Sequence, residues 1–377
     1  MLPNTTSHRF TALDVFRGLT ICFMIIVNTP GSYVTTFYPL LHAQWNGFTP
    51  TDLVFPSFLF AVGNALSFVT PKWQKLSKKL VLLKIFKRTI IIFLLGLLLN
   101  WFPFVKYNHE GGLFFFPFSD LRIFGVLQRI ALCYGFTALL IYYFKPKTVA
   151  LIGISFLLVY WIILYAFAHS GNPLSITDNV GSAIDRWLVG EKHLYHGEGI
   201  AFDPEGLLST LPSIVNVIAG FIAGIFIQKK GNTYELLAKL LLAGFIFVFV
   251  AYCLNFYFPI NKKLWTSSFS VLTIGLDCIL LASLIYVIDF LNIKKWGYFF
   301  EVFGRNPLFI YLLSELGVII LYFLSTKSGV SYYQWIYVNI FSDAGGNIGS
   351  LLFALSFMLF CWVIGLWLDK KKIYIRV

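Results

Sequence analysis

Long apolar runs, separated by short polar connections, repeat along the whole chain. Each run approaches the ~20 residues that an α-helix needs to cross a hydrocarbon core of ~30 Å. The pattern predicts an all-α protein, a polytopic integral membrane helical bundle with about ten transmembrane helices, at residues 12–29, 51–70, 80–102, 121–143, 148–168, 207–228, 235–256, 267–290, 303–324 and 347–368. These runs occupy most of the chain, so we expect one transmembrane domain, residues 1–377, with an outer loop at 169–206.

The composition excludes a soluble globular protein. Hydrophobic residues make up 58% of the 377 residues and charged residues only 12%. The mean hydropathy of +0.78 means more apolar surface than a soluble core can bury. The net charge of +12 could suggest a nucleic-acid partner, but the distribution of the basic residues argues against one.

The basic residues predict the orientation of the bundle. Most of them fall in alternate connections and in the tail, at 72–88, 145–147, 229–230, 294–295 and 370–376. The positive-inside rule places such segments in the cytoplasm. We therefore expect both termini to be cytoplasmic and the connection between the first two runs to lie outside. We expect no signal peptide, because no small-residue cleavage site follows the first apolar run.

The connection between the first two runs contains the first candidate functional residues. Asn28 ends the first run, His42 lies in the polar loop, and Thr49-Pro50-Thr51-Asp52 has the residues of a helix start. The loop is expected to bring Asn28, His42 and Asp52 to one membrane face. The alternative is that His42 is a solvated loop residue and Asp52 only caps a helix.

The fourth run is unusually polar for a span. It carries Arg122, Gln128 and Arg129, with Asp120 next to it, and the two arginines are seven residues apart, which puts them on one helix face. A charge deep in a bilayer costs ~2.5–3.5 kcal/mol, so these arginines should face the bundle interior and meet an anion. The alternative is a structural ion pair with Asp120 or with Asp277.

Further charges lie near the ends of other runs. Asp14 and Arg17 share a face of the first helix, and Arg305-Asn306-Pro307 opens the ninth run. Either arginine could simply snorkel to the interface, or could clamp a phosphate. Asp203 and Glu205 precede the sixth run, where they would attract a cation or cap the helix.

The cysteines and histidines give no metal pattern that we would accept. All five cysteines fall in apolar runs without a CxxC motif, so we interpret them as packing residues. His193 and His196 form only a pair in a loop, and we expect no metal.

Five segments together resemble the heparan-α-glucosaminide N-acetyltransferase family of membrane acyltransferases. They are LDVFRGLTICFMIIVNTPG, HAQWNGFTPTDLVFPSFLFAVG, RIFGVLQRIALCY, FDPEGLLSTLPSIVNVIAG and GRNPLFIYLLSE. The resemblance implies transfer of an acetyl group from cytoplasmic acetyl-CoA to the amino group of a glucosamine-type sugar on the opposite side of the membrane. It implies that His42 is the functional histidine and that Asn28 is the asparagine after the first span.

The residue types suggest a role for each candidate residue in such a reaction. Guanidinium groups match phosphate oxygens, so acetyl-CoA is expected to contact Arg17, Arg122, Gln128, Arg129, Arg305 and Asn306. His42 would take the proton of the amine, Asp52 would orient its ring, and Asn28 would stabilise the oxyanion. Direct transfer and an acetyl-histidine intermediate both stay open.

The expected partners are acetyl-CoA, an amino-sugar or glycan acceptor and the lipid bilayer, with no nucleic acid; a homodimer is left open. A Phe-, Ile- and Lys-rich composition favours a bacterial inner membrane. The rival function is a secondary transporter of an anionic solute. Corresponding broken helices in two halves of the chain, which many transporters have, are not evident.

Overall fold

The computed structural model describes residues 10–107, 112–168 and 171–375; Arg376 of the basic tail and the first two residues of the predicted outer loop lie outside these ranges. The helices are α1 Thr11–Asn28, α2 Val54–Trp73, α3 Lys78–Trp101, α4 Val126–Tyr143, α5 Pro146–Ala166, α6 Val180–Val189, α7 Thr210–Lys230, α8 Tyr234–Asn255, α9 Ser267–Ile285, α10 Gly297–Arg305, α11 Pro307–Phe323, α12 Tyr332–Ile336 and α13 Gly346–Lys370. One antiparallel hairpin, β1 Val105–Tyr107 and β2 Leu113–Phe115, joins α3 to α4. The all-α prediction is confirmed.

The number of spans is slightly lower than predicted. Within the described ranges, eight helices are long and apolar enough to cross a membrane, or nine if α10 and α11 form one bent span. The predicted span that is not among them is the third, 80–102, which corresponds to α3; this helix has 24 residues but carries five basic residues in its first half. Those charges shorten its apolar stretch below the length that a straight crossing needs.

The packing of α2 against α7 forms the centre of the bundle. A Cβ on Gly63 would come within 1.9 Å of the Val217 carbonyl oxygen, and a Cβ on Gly220 within 2.0 Å of the Phe60 carbonyl oxygen. Both positions therefore need glycine, because the two backbones touch there. This close contact fixes the position of α2, including its first turn, which follows Asp52 in the chain.

The ninth predicted span is not a continuous helix. α10 and α11 meet at 84° around Asn306, because Pro307 has no N–H for the helix behind it. The buried Asn306 side chain bonds the C-terminal segment instead, through the Ile373 carbonyl oxygen at 2.9 Å and the Ile375 N–H at 2.8 Å. This is the one bent pair within the described part of the chain.

The fourth predicted span starts five residues later than expected, at Val126. Asn100 of α3 donates hydrogen bonds of 3.0 Å to the carbonyl oxygens of Arg122 and Phe124, which holds residues 121–125 outside a helix. Arg122 and Arg129 therefore do not share a helix face, and that part of the sequence prediction is wrong. The predicted cap at Thr49 is confirmed, since Thr49 and Asp52 form a capping box.

Candidate functional site

Two cavities enter the bundle and meet in its middle. The His42 cavity, about 480 Å³, has His42, Asn28 and Lys262 in its wall. The Arg305 cavity, about 720 Å³, is lined at its polar end by Arg17, Arg88 and Arg305. Both lie in the size range of small-molecule sites. Their walls share four residues, Met24, Phe55, Val126 and Tyr311, so the two cavities adjoin at this largely apolar layer.

The sequence folds locally so that Asp52 holds His42 in place. Asp52 is fully buried, and its Oδ1 lies 2.7 Å from His42 Nδ1. Its Oδ2 accepts from the N–H groups of Thr49 at 2.9 Å and of Ala43 at 3.2 Å. The carboxylate therefore both caps the helix start and orients the imidazole. We assign the ring proton to Nδ1, because its partner is an acceptor, which leaves the lone pair of Nε2 for chemistry.

A third polar residue, Lys262, lies beside His42 and Asp52, and we call these three residues the His42 cluster. The Lys262 Nζ lies 3.0 Å from each ring nitrogen of His42 and 3.9 Å from Asp52 Oδ1. Lys262 comes from the α8–α9 connection, which docks on the predicted Asn46-Gly47 turn: Gly47 N–H donates to the Ile260 carbonyl oxygen at 2.8 Å, and Asn261 donates to Asn46 at 3.2 Å. Gly47 adopts a φ of 119°, which favours glycine.

The surroundings favour the neutral form of the imidazole. His42 is set among protein atoms, although 44% of its side chain is accessible from the cavity. This burial lowers the pKa of His42; the hydrogen bond to Asp52 opposes the shift, and the charge of Lys262 adds to it. Burial also lowers the pKa of the Lys262 ammonium, against the pull of Asp52 and Glu205.

Asn28 lies on the same cavity, at the end of α1. Its Nδ2 donates to Oε1 of Glu315 on α11 at 3.3 Å. One of the two N–H groups of the amide is used in this bond. No second hydrogen bond of this amide is found among the described residues, so its other N–H group can donate to a molecule in the cavity. The sequence prediction that Asn28, His42 and Asp52 come together is consistent with this geometry, and their catalytic roles stay predictions.

Arg122 lies in the wall of the His42 cavity and pairs with the 171–206 loop. It contacts both carboxylate oxygens of Asp203, at 2.9 and 2.7 Å, and Glu205 Oε2 at 2.6 Å. These pairs raise the pKa of Arg122, although burial opposes the shift. Its partners are thus neither Asp120 nor Asp277; the latter accepts a hydrogen bond from Ser57.

Arg129 and Gln128 are buried inside the bundle. Arg129 donates to the Gly206 carbonyl oxygen and to Ser209 Oγ, and its guanidinium lies 5.1 Å from the centre of the Trp265 ring. Neither residue lines either cavity. The structure therefore places Arg122, Gln128 and Arg129 away from the Arg305 cavity, although the sequence groups them with Arg17 and Arg305.

Arg17 and Arg305 do meet at one cavity. Arg17 donates to Asp14 and to the Gly304 carbonyl oxygen, both at 2.8 Å. Arg305 pairs with Glu301 at 2.9 Å and with Asp369. Asn306 is buried behind them, bonded to the C-terminal segment. The third arginine, Arg88 of α3, lies 4.7 Å from the centre of the Tyr134 ring, and its buried Nε finds no hydrogen-bond partner within the described ranges.

Sequence reasoning missed two residues of these sites. Arg88 is one of the basic residues that indicate the topology, although its position eleven residues into the 24-residue helix α3 also indicates an interior arginine. Lys262 gave no such signal, because a lysine in a polar connection is ordinary. Only the docking of its loop brings it to His42.

Comparison with known proteins agrees with the resemblance. Residues 9–179 match the family profile described as heparan-alpha-glucosaminide N-acetyltransferase, catalytic. The chain is 28% identical over 369 residues to the mouse (Mus musculus) heparan-alpha-glucosaminide N-acetyltransferase, covering 83% of this chain and 54% of that protein. It is 27% identical over 364 residues to the human (Homo sapiens) protein of that name, covering 82% and 53%. The chain spans about half the length of these relatives.

Proposed function

We propose that this chain, which belongs to the heparan-alpha-glucosaminide N-acetyltransferase family, is a transmembrane N-acetyltransferase that uses acetyl-CoA to acetylate an amino sugar. The observation that carries the proposal is the meeting of the two cavities at Met24, Phe55, Val126 and Tyr311. A long donor entering from one face can reach an acceptor at the other only through such a contact.

The donor is assigned to the Arg305 cavity. Its arginines lie at the polar end, where phosphates would bind, and its other walls are mainly apolar, which suits the pantetheine arm. The buried Nε of Arg88 is a donor for which the described part of the chain supplies no acceptor, and an anion at this place would satisfy it. The acetyl thioester would then lie near the shared apolar layer, below His42.

The chemistry follows from the His42 cluster. The amine nitrogen attacks the thioester carbon, and His42 Nε2 takes the proton that the nitrogen loses. The second N–H group of Asn28 stabilises the oxyanion. The carbon–sulfur bond then breaks, and the protonated imidazole returns the proton to the CoA thiolate. Asp52 stabilises the imidazolium between the two steps. An acetyl-imidazole intermediate would use the same Nε2 lone pair.

The acceptor is assigned to the His42 cavity and to a smaller groove that joins it. This groove, about 260 Å³, shares Asn100, Phe102 and Arg122 with the cavity and adds Asp120 and Tyr195. Its combination of aromatic faces and polar edges suits a sugar ring. A glucosamine-type sugar is therefore proposed as the acceptor, with its amino group towards His42.

The decisive experiment measures acetyl transfer by purified protein. Labelled acetyl-CoA and glucosamine, in detergent and without any gradient, should give N-acetylglucosamine. His42→Ala should give none, and Lys84→Met, an exposed residue of α3, should leave the rate unchanged. Gradient-dependent uptake of an anion in proteoliposomes, without acetyl transfer, would support the rival transporter instead.

The orientation is a separate part of the proposal. The His42 face is assigned to the outside and the Arg305 face to the cytoplasm, because of the alternating basic connections. In a background without native thiols, Gln44→Cys should react with an impermeant thiol reagent in intact cells, and Gln74→Cys should be protected. Both side chains are exposed, so the reverse labelling pattern would reject this orientation.

A further inference from the structure

We propose that Lys262 is a positioning residue for His42, whose ammonium group keeps the imidazole unprotonated so that its Nε2 can accept a proton from the acceptor amine. This inference rests on the proposed function only where it concerns the rate of acetyl transfer. Its first observation is that two nominally cationic side chains are in direct contact, 3.0 Å apart, at the wall of one cavity. Such contact is stable only if one of them is neutral.

The geometry shows how Lys262 acts on the ring. Its Nζ is equally far, 3.0 Å, from both ring nitrogens. An ammonium on the axis of one lone pair would be much farther from the other nitrogen, so Lys262 does not occupy the Nε2 lone pair. It acts through its charge and leaves that lone pair open to the cavity.

The position of the ammonium is held by the fold. The connection is anchored on both sides of Lys262: Asn261 is fully buried, and its Oδ1 accepts from the Leu264 N–H at 2.8 Å. The neighbouring Lys263 points to a different partner, Glu198 Oε2, at 2.6 Å. The two adjacent lysines therefore have different roles, and Lys263 supplies a matched control.

Other charges around the ring oppose or balance Lys262. Asp52 bonds Nδ1 and favours the imidazolium, as does Glu205 across the cavity. Arg122 and Glu315 also line this cavity; Arg122 is neutralised by the 171–206 loop, and Glu315 is bonded to Asn28. Without Lys262, these carboxylates would act on the ring without an opposing charge, which would raise the fraction of imidazolium at a given pH and lower its capacity as a base.

The test uses a readout that does not need catalysis. The rate of carbethoxylation of His42 by diethyl pyrocarbonate, followed by mass spectrometry of the peptide, reports the fraction of neutral imidazole at each pH. In the wild-type protein its midpoint should lie below ~6.5, the ordinary histidine value. Lys262→Met should move the midpoint up by about one to two pH units, Lys262→Arg should keep it low, and Lys263→Met should leave it unchanged.

If acetyl transfer is observed, the acid limb of kcat/KM should move in the same direction in Lys262→Met, and the rate at high pH should recover towards wild type. Lys262→Gln replaces Lys262→Met if the latter is not monodisperse. A wild-type midpoint at or above ~6.5, or the same midpoint with and without the charge at 262, overturns the proposal. A protein that shows the shift but no acetyl transfer would instead contradict the proposed function.

Discussion

Asn28 on α1 and Glu315 on α11 are joined by a hydrogen bond of 3.3 Å between the amide Nδ2 and the carboxylate Oε1. The two residues are 287 positions apart in the chain, and their contact fixes the direction of the remaining amide N–H. Asn28→Ala should lower acetyl transfer by ~10²–10³-fold, as expected for loss of one oxyanion donor. Glu315→Gln, which keeps an acceptor for Asn28, should lose much less than Glu315→Ala. Equal rates in the two Glu315 variants would contradict a role in orienting the amide.

Substitutions of His42 and of Asp52 should differ in their effects on turnover and on stability. His42→Ala removes the base and should cost ~10²–10⁴-fold in turnover while acetyl-CoA still binds. Asp52→Asn retains an acceptor for the ring and should lose less activity than Asp52→Ala. Because Asp52 also caps the helix start, Asp52→Ala should destabilise the protein by ~0.5–2 kcal/mol, measured by thermal unfolding in detergent. Near-normal turnover in His42→Ala would reject this site.

Arg88 should control binding of the donor. Its Nε has no hydrogen-bond partner among the described residues, so Arg88→Met should raise the Kd for acetyl-CoA by roughly tenfold or more, as expected for a lost charge-assisted hydrogen bond of ~1.5–3 kcal/mol. Lys84→Met, one turn earlier on the same helix, is the matched control. Equilibrium binding of labelled acetyl-CoA distinguishes them, and an unchanged Kd in folded Arg88→Met would remove Arg88 from the donor site.

Arg122 should hold the 171–206 loop rather than the donor. Asp203 is buried opposite it, so Arg122→Met leaves an unpaired buried charge and should cost ~3–5 kcal/mol. Adding Asp203→Asn should recover part of this loss. Limited proteolysis near the exposed Trp187 would report the loosened loop, and Arg186→Met should have little effect, because this arginine of the same loop makes only a solvent-exposed hydrogen bond, to the Thr177 carbonyl oxygen. Loss of acetyl-CoA affinity with an intact loop would restore the donor role that the sequence suggested.

Asp185 should make the stability of the loop pH-dependent. Burial raises the pKa of its carboxyl from 3.8 to about 7; the Leu207 N–H, 2.9 Å from Oδ1, opposes the shift, and Asp203 adds to it. Since the folded state favours the protonated acid, this stabilisation is complete below pH ~4 and is lost as the pH rises towards 7. Asp185→Asn should therefore be no more stable than wild type at pH 4 and clearly more stable at pH 8, by up to roughly 4 kcal/mol. Thermal unfolding at the two pH values tests this, with the exposed Glu191→Gln expected to follow the wild type.

The sequence by itself determined the fold class, most of the spans and the cap at Thr49–Asp52, because these depend on local composition and on neighbours three or four residues apart. It also placed His42 close to Asp52, ten residues later in the chain. The approach of α2 to α7 depends on glycines in distant segments, and the bend at Asn306 is stabilised by residues near the C-terminus. Neither is visible in a local pattern.

Only the tertiary structure decided which charges meet. The spacing of Arg122 and Arg129 suggested a shared helix face, but Asn100 holds residues 121–125 out of the helix, and the loop before α7 supplies carboxylates to Arg122. Lys262 is 220 residues from His42, and Arg88 faces a cavity that several helices build together. Ion pairs of this kind depend on contacts between segments far apart in the chain, and the period of a single helix does not contain that information.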